Sequence, residues 1–446
     1  MQLVAYGAQD VYLTGNPKVT FFQAVYKRHT NFAMENIEQT LNGTAGNDGR
    51  VSVTIARNGD LIGDMYIEML TAASRLSSRA GDITALSGCW AAERAIKDIE
   101  LSIGGQRIDK QYQKWWRLYS ELSMDECKRS QYAKMTTCST PAAAGGKVYL
   151  PLLFFFNRNP GLYLPLIALQ YHEVRLDFDL ASNFAAYISP TGFKVWGNYV
   201  YLDTEERRRF AQKGHEYLIE QVQHTGTDAL AVGATATSKQ IRLSYNHPVK
   251  ELVWCVSEAS SANAGMWNFT SNAAASNAVV LESNPFNAPY GVSNNITLSS
   301  LGTASGVPQL LSGNLNISAS NVSSNTWTED GVLGPSASVG VVDSFKLILN
   351  GQDRFKEQDG KYFNQVQPFQ HHSGNPYPGI YSYSFALKPE EHQPTGTCNF
   401  SRIDNAQVSI TTKAGTPEAH STLNMFAVNY NVLRIQSGMG GLAFSN

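Results

Sequence analysis

The chain reads as an all-β protein built of two tandem antiparallel sandwiches, each of about eight strands. Three observations predict this. Apolar and polar residues alternate with period two over short runs bounded by Asn, Gly and Pro turns. Charged residues make up only 16% of the sequence, and Gly, Ser, Asn, Thr and aromatics take their place, as in strands joined by many turns. Short motifs of the first half also recur, in the same order, in the second. Ile37-Glu38-Gln39 returns as Ile219-Glu220-Gln221, and Leu101-Ser102-Ile103-Gly104-Gly105-Gln106 as Leu347-Ile348-Leu349-Asn350-Gly351-Gln352. Asn198-Tyr199-Val200-Tyr201-Leu202 returns as Asn429-Tyr430-Asn431-Val432-Leu433. A repeat of whole-domain size signals duplication, and the spacing drifts because surface loops tolerate insertion.

Taken in order, residues 1–30 form an arm with turn signals at Tyr6-Gly7 and Thr14-Gly15-Asn16-Pro17 and an aromatic pair, Phe21 and Phe22. The first sandwich occupies 31–213. Val51, Val53 and Ile55 alternate with polar neighbours before the turn Arg57-Asn58-Gly59-Asp60 feeds Leu61–Leu70. Ile99, Leu101 and Ile103 lead into the Gly104-Gly105 turn; Val174, Leu176, Phe178 and Leu180 form a further strand, and Val195–Leu202 closes the half. Tyr112, Trp115, Tyr119 and Leu122 are spaced for one face of a short loop helix packed on the sandwich. The second sandwich occupies 214–446, with strands at 241–245, 252–256, 345–349, 379–387, 406–411 and 423–434. It carries an insertion at about 257–338, rich in Ser, Ala, Asn and Gly, with strand-like pieces at 278–281, 296–298 and 315–317. A long irregular segment in a compact unit is usually functional surface.

At 446 residues the chain exceeds what one core accommodates, which agrees with two units of roughly 200 residues. The formal net charge of −2 argues against coating nucleic acid, which needs a basic surface. The arm is mildly basic (Lys18, Lys27, Arg28 and His29 against Asp10). The five cysteines, Cys89, Cys127, Cys138, Cys255 and Cys398, are scattered, without paired spacing or a preceding apolar signal segment, which points to free thiols in a reducing compartment. The longest apolar stretch, Val148 to Phe156, is interrupted by Pro151 and too short for a membrane span, so a soluble protein is expected.

Several long motifs resemble one family. Leu3-Val4-Ala5-Tyr6-Gly7-Ala8-Gln9-Asp10-Val11-Tyr12-Leu13-Thr14-Gly15-Asn16-Pro17, Tyr26-Lys27-Arg28-His29-Thr30-Asn31-Phe32 and Ile103-Gly104-Gly105-Gln106-Arg107-Ile108-Asp109-Lys110 belong to this set. So do Leu164-Pro165-Leu166-Ile167-Ala168-Leu169-Gln170-Tyr171-His172-Glu173-Val174, Gly396-Thr397-Cys398-Asn399-Phe400-Ser401-Arg402-Ile403-Asp404-Asn405 and Ser437-Gly438-Met439-Gly440-Gly441-Leu442. Together they are similar to the major capsid proteins of nucleocytoplasmic large DNA viruses, in the algal-virus and giant-virus branch. The likeness is silent over 257–338. It implies a double jelly roll, a non-enzymatic role in the virion and a homotrimeric capsomer of pseudo-sixfold outline that tiles an icosahedral shell. It further implies an inner side where the arm meets minor capsid proteins or the internal membrane, an outer side for the insertion, and assembly in the host cytoplasm.

No motif meets the demands of a catalytic, cofactor or metal site, so none is expected. His172-Glu173 and His215-Glu216 do not extend to the spacing of a zinc helix. Asp177 and Asp179 share a strand face where a calcium ion is conceivable, but a solvated face accounts for them. Gly438-Met439-Gly440-Gly441 leaves no room for the helix of a dinucleotide loop, and Gly145-Gly146-Lys147 lacks the remainder of a phosphate loop. The run Asp203-Thr204-Glu205-Glu206-Arg207-Arg208-Arg209 is solvated or makes ion pairs at the domain junction. Formal glycosylation acceptors stand at Asn42, Asn268, Asn295, Asn316, Asn321 and Asn399. The rival from another class is a tandem jelly-roll carbohydrate-binding protein, for which Trp267 and Trp327 would supply aromatics but few acids accompany them.

Overall fold

A computed structural model describes residues 7–72, 91–136, 146–257, 269, 325–327, 333–335, 340–374, 376, 379–416 and 421–444. The first half contributes β1 (Phe32–Glu38), β2 (Arg50–Thr54), β3 (Leu61–Leu70), β4 (Ile96–Ile103), β5 (Gln106–Tyr112), β6 (Lys147–Pro151), β7 (Val174–Leu180) and β8 (Lys194–Leu202). The second contributes β9 (His215–Ala229), β10 (Ser238–Leu243), β11 (Pro248–Ser257), β12 (Val342–Leu349), β13 (Gln352–Asp353), β14 (Ile380–Ser384), β15 (Ala406–Thr412) and β16 (Thr422–Gln436). A last strand, β17 (Met439–Leu442), folds back on β16.

Sheet 1 has the order β1-β8-β3-β6, and sheet 2 contains β2-β7-β4-β5. Sheet 3 is β9-β16-β11-β14, and sheet 4 is β10-β15-β12-β13. Each order in the second half is that of the first with every strand advanced by eight. All pairings among the described residues are antiparallel, and the order is that of a jelly roll, in which first and last strands pair and consecutive strands alternate between sheets except at the β4–β5 and β12–β13 hairpins. The molecule is a double jelly roll. Inward-facing residues such as Val51, Ile67, Leu101 and Phe178 fill the first core; Trp254, Phe345, Leu347 and Val408 are among those filling the second.

The repeated motifs fare unequally. The Gly-Gln turns match in register: Gly104 and Gly105 take φ of 58° and 83°, Asn350 and Gly351 take 52° and 77°, and both hairpins are two-residue turns with two positive φ values. The other two pairs lie on corresponding strands but out of register. Ile37 pairs with Gly197 whereas Ile219 pairs with Asn431, and Tyr199 points into the first core while Tyr430 faces the junction between halves.

The two turns are expected to respond differently to a methyl group. A Cβ at Gly351 meets nothing within 4 Å, so Gly351→Ala carries only the left-handed backbone penalty of about 1–2 kcal/mol. A Cβ at Gly104 would collide with the His172 ring, so Gly104→Ala costs more. Denaturant unfolding of the two variants checks this; equal losses would contradict it.

Helices fill the connections: α1 (Ala91–Ala95), α2 (Gln113–Leu122), α3 (Glu126–Thr136), α4 (Thr204–Gln212) and α5 (Gln367–His371). The expected aromatic loop helix is α2, with Trp115, Trp116, Leu118 and Leu122 buried, but Tyr112 ends β5 ahead of it and Tyr119 is only half-buried. Arg117, fully buried in it, lies 3.6 Å from Glu93 and 3.0 Å from Glu121. The mixed-charge run beginning at Asp203 is α4, and alternation could not reveal it. Asp203 Oδ1 caps the helix by accepting from the Glu206 N–H (2.9 Å), Glu205 and Glu206 sit in the first turn, and Arg209 in the last. Arg207 reaches back to Asp60 (2.9 Å). The anticipated strand pieces at 278–281, 296–298 and 315–317 lie outside the described residues; Asn325–Trp327 and Leu333–Pro335 form a short hairpin.

Candidate assembly surfaces

The two jelly rolls meet through the outer face of sheet 3, which the first half covers. Val253, Cys255, Ile380, Phe426 and Val428 of that face are buried and continuous with the first core. Trp115 and Tyr112 approach Phe426 at centroid distances of 5.6 and 5.9 Å, and Tyr112 meets the His224 ring edge-on at 5.1 Å. Aromatic anchors in a desolvated patch of this kind fix two bodies against each other.

Polar groups complete the junction. Glu220 of β9 lies 2.9 Å from Arg158 of the first half and 2.7 Å from Lys250 of β11. Burial acts to raise the Glu220 carboxyl, but Arg158 and Lys250 outweigh it and hold the group below its ordinary range. Asp109 accepts from the backbone N–H groups of Val222 (3.1 Å) and Lys110 (2.9 Å); burial nevertheless pushes its carboxyl up to about 7. Gln221 donates to the Ile108 carbonyl, and Lys114 bonds Ser257. His372 stands between Glu251 and Glu390, 3.3 Å from each. Arg158, Glu220, Lys250, Glu251 and Glu390 line one cavity at this junction.

A second contact lies at the end where β8 finishes. The Gly440 N–H donates to His172 Nδ1 (3.1 Å), Tyr171 N–H donates to the Gly438 carbonyl (3.0 Å), and Leu442 N–H donates to Gln106 Oε1 (3.2 Å). Arg57 ties down the same segment by donating to the carbonyls of Gln170 (2.8 Å) and His172 (3.2 Å). The Gly-Gly-Gln, Gln-Tyr-His-Glu and Gly-Met-Gly-Gly motifs thus converge on one clasp between the halves.

The ends of the molecule differ. Phe32, at the start of β1, pairs with Leu202, so the arm enters at the clasp end. β9 starts beside the end of β16, and β11 runs from Val249, opposite Asn429, to Ser257, opposite Thr422. The 257–338 insertion therefore leaves at the end opposite the arm. From residue 7 to residue 31 the arm is exposed apart from Asp10, which is half-buried, and Tyr12, Leu13, Phe21, Phe22 and Tyr26 are each more than 85% accessible. So many large apolar side chains on one unpacked segment mark an interaction element.

The residues singled out in the sequence take structural positions. His172 is part of the clasp; His215 Nε2 lies 2.8 Å from the Phe210 carbonyl, and Glu216 pairs with Arg434 at 2.8 Å. Asp177 is engaged by Ser52 and Arg175, which hold its carboxyl low against the effect of burial. Asn42 is exposed beside β2, and Asn399 Oδ1 accepts from Ser401 N–H (3.0 Å). Asn268, Asn295, Asn316 and Asn321 lie outside the described residues. Among the described residues no group of three or more His, Cys, Asp or Glu side chains could hold a metal ion, and no helix is long and apolar enough to cross a membrane. Sequence reasoning missed the Arg158-Glu220-Lys250 node, because its members lie far apart in the chain and the repeated motif that carries Glu220 names no partner for it.

The molecule is thus a double jelly roll whose halves are locked by an apolar and ionic junction, with an exposed arm at one end and a long insertion leaving at the other. The family model described as "Large eukaryotic DNA virus major capsid protein" matches residues 206–441, and "Major capsid protein N-terminus" matches residues 20–203. The chain belongs to this family. It is 44% identical to the major capsid protein of Paramecium bursaria Chlorella virus 1, over 100% of this chain and 99% of that protein. Identity to the major capsid protein of Phaeocystis pouchetii virus is 40%, again over 100% and 99%. The crystal structure of PBCV-1 VP54 matches with a TM-score of 0.73 at 40% identity, over 96% of this chain and 100% of that one. The Faustovirus major capsid protein, at 13% identity and a TM-score of 0.63, shares the fold.

Proposed function

We infer that this chain is the structural major capsid protein of a large DNA virus and builds the shell as a homotrimer. The observation that carries the reading is full-length membership in the family by a molecule whose two like jelly rolls pack against each other with the arm and the insertion leaving at opposite ends. Three such chains present six similar sandwiches, and a near-hexagonal unit tiles flat facets with nearly equivalent contacts. Buried cores give rigidity, chain-to-chain contacts build the capsomer, and capsomer edges build the facet. The arm, with its exposed aromatics and the cations Lys18, Lys27 and Arg28, faces inward toward minor capsid proteins or the internal membrane. The insertion faces outward, and assembly takes place in the host cytoplasm.

Sedimentation equilibrium of the purified protein tests the reading. A particle of about three times the 48.9 kDa chain mass is expected. A monomer at all accessible concentrations would overturn it.

A further inference from the structure

The chain makes one sandwich-to-sandwich interface internally, and each component of that interface exists a second time, unused. In the first half α2 follows the β4–β5 hairpin and is pinned to the sixth strand and its exit. Trp116 Nε1 donates to the Pro151 carbonyl (3.1 Å), and Gln111 Oε1, on the β5 strand that leads into α2, accepts from Leu153 N–H (3.2 Å). From that perch α2 sets Trp115 on the outer face of sheet 3. In the second half the helical stretch ending in α5 follows the corresponding β12–β13 hairpin and is pinned to the corresponding strand. Asn364 Nδ2 donates to the Ile380 carbonyl (2.9 Å), and Gln367 Oε1 accepts from Ser384 N–H (3.1 Å). Its apolar side chains meet no second sandwich: Phe369 is 89% exposed and Val366 40%, and Leu387, whose carbonyl lies 3.0 Å from His371 Nδ1, is 74% exposed.

The receiving face is duplicated as well. Sheet 1 corresponds to sheet 3, yet its outer face is only partly covered. Tyr66, Tyr149 and Trp196 stand there half-buried, with Tyr66 and Tyr149 in edge contact at 5.8 Å. The Trp196 indole N–H has no hydrogen-bond partner among the described residues. Around these rings are Asn36, Glu38 and Glu68, and Lys147 and Lys194 at the far edge. An aromatic centre with a polar rim is the anatomy of a specific interface.

We propose that the Val366-Phe369-Leu387 knob of one chain packs on the Tyr66-Tyr149-Trp196 face of a second copy, repeating between chains the contact α2 makes within one. A heterologous contact of this kind closes into a ring when its rotation divides a full turn. The inference rests on the homotrimer reading and names its seam.

The test is the trimer's stability in Phe369→Glu, with Phe444→Glu as control. Phe444 is also exposed, at 62%, but lies at the clasp end away from the seam. Both variants are surface changes, and an unchanged circular dichroism spectrum establishes that they fold. Phe369→Glu should weaken trimerisation at least 100-fold by sedimentation equilibrium, as expected for charging a central aromatic anchor, while Phe444→Glu stays within a few-fold of the parent. A Phe369→Glu protein that trimerises like the parent, or a control that dissociates equally, overturns the seam and leaves the trimer standing. A monomeric parent overturns the trimer and the seam together.

Discussion

Replacing Glu220 by glutamine should destabilise the protein by about 3–5 kcal/mol, the range measured when one member of a buried ion pair is removed. The carboxylate is almost fully buried and neutralises two cations, Arg158 at 2.9 Å and Lys250 at 2.7 Å. Lys250 keeps the Pro389 carbonyl (2.6 Å) and the face of the Tyr430 ring, and Arg158 the face of Tyr119, but neither contact supplies a countercharge. The substitution also changes the pH profile. Glu220 titrates below its ordinary value of 4.5 in the folded protein, so the stability it contributes is present above that value and is lost as pH falls below it. Asp109 works in the opposite sense. With its carboxyl raised from 3.8 to about 7, its contribution is complete below about pH 4 and disappears as pH rises through 7. Denaturant unfolding from pH 3 to 8 should therefore show a shallower acid-side loss in Glu220→Gln than in the parent. A loss under 1 kcal/mol at neutral pH would show that the junction does not depend on the charge.

Trp254→Ala is expected to cost about 3–5 kcal/mol through the second core. The indole, fully buried, stacks on Phe345 at 4.3 Å and lies 5.4 Å from Phe363 and 5.8 Å from Tyr381. Its removal leaves a void that this ring cluster can close only partly, and the surrounding side chains lose their contacts outright. Because β11 carries Trp254 inward while Val253 and Cys255 face the junction, the loss should also loosen the face on which the first half rests. Calorimetry of the variant checks the magnitude, and an unchanged transition temperature would contradict the packing account.

The strands were legible because their burial obeys period two. Val51, Val53 and Ile55 point inward and their neighbours do not, and the Gly-Gln hairpins announce themselves through residues that accept positive φ. The aromatic face of α2 was legible for the same reason at helical period. What the sequence concealed is either non-local or locally ambiguous. Glu220 finds Arg158 and Lys250 only after folding, and strand order depends on pairings such as Phe32 with Leu202 across the whole first half. The run after Asp203 carries no apolar stripe, so its helix is set by the cap and by charge placement. Two of the three repeated motifs reflect strands of like composition that pair out of step between the copies; the turn keeps its register because its backbone admits little else.

In the proposed homotrimer the internal duplication builds a closed, six-lobed capsomer. Class-averaged electron micrographs of the purified protein test it most directly. The expected particle is a ring of three chains with a six-lobed outline at the arm end and three protrusions at the end from which the 257–338 insertion leaves. Single two-lobed particles, or open chains that do not close, would contradict it.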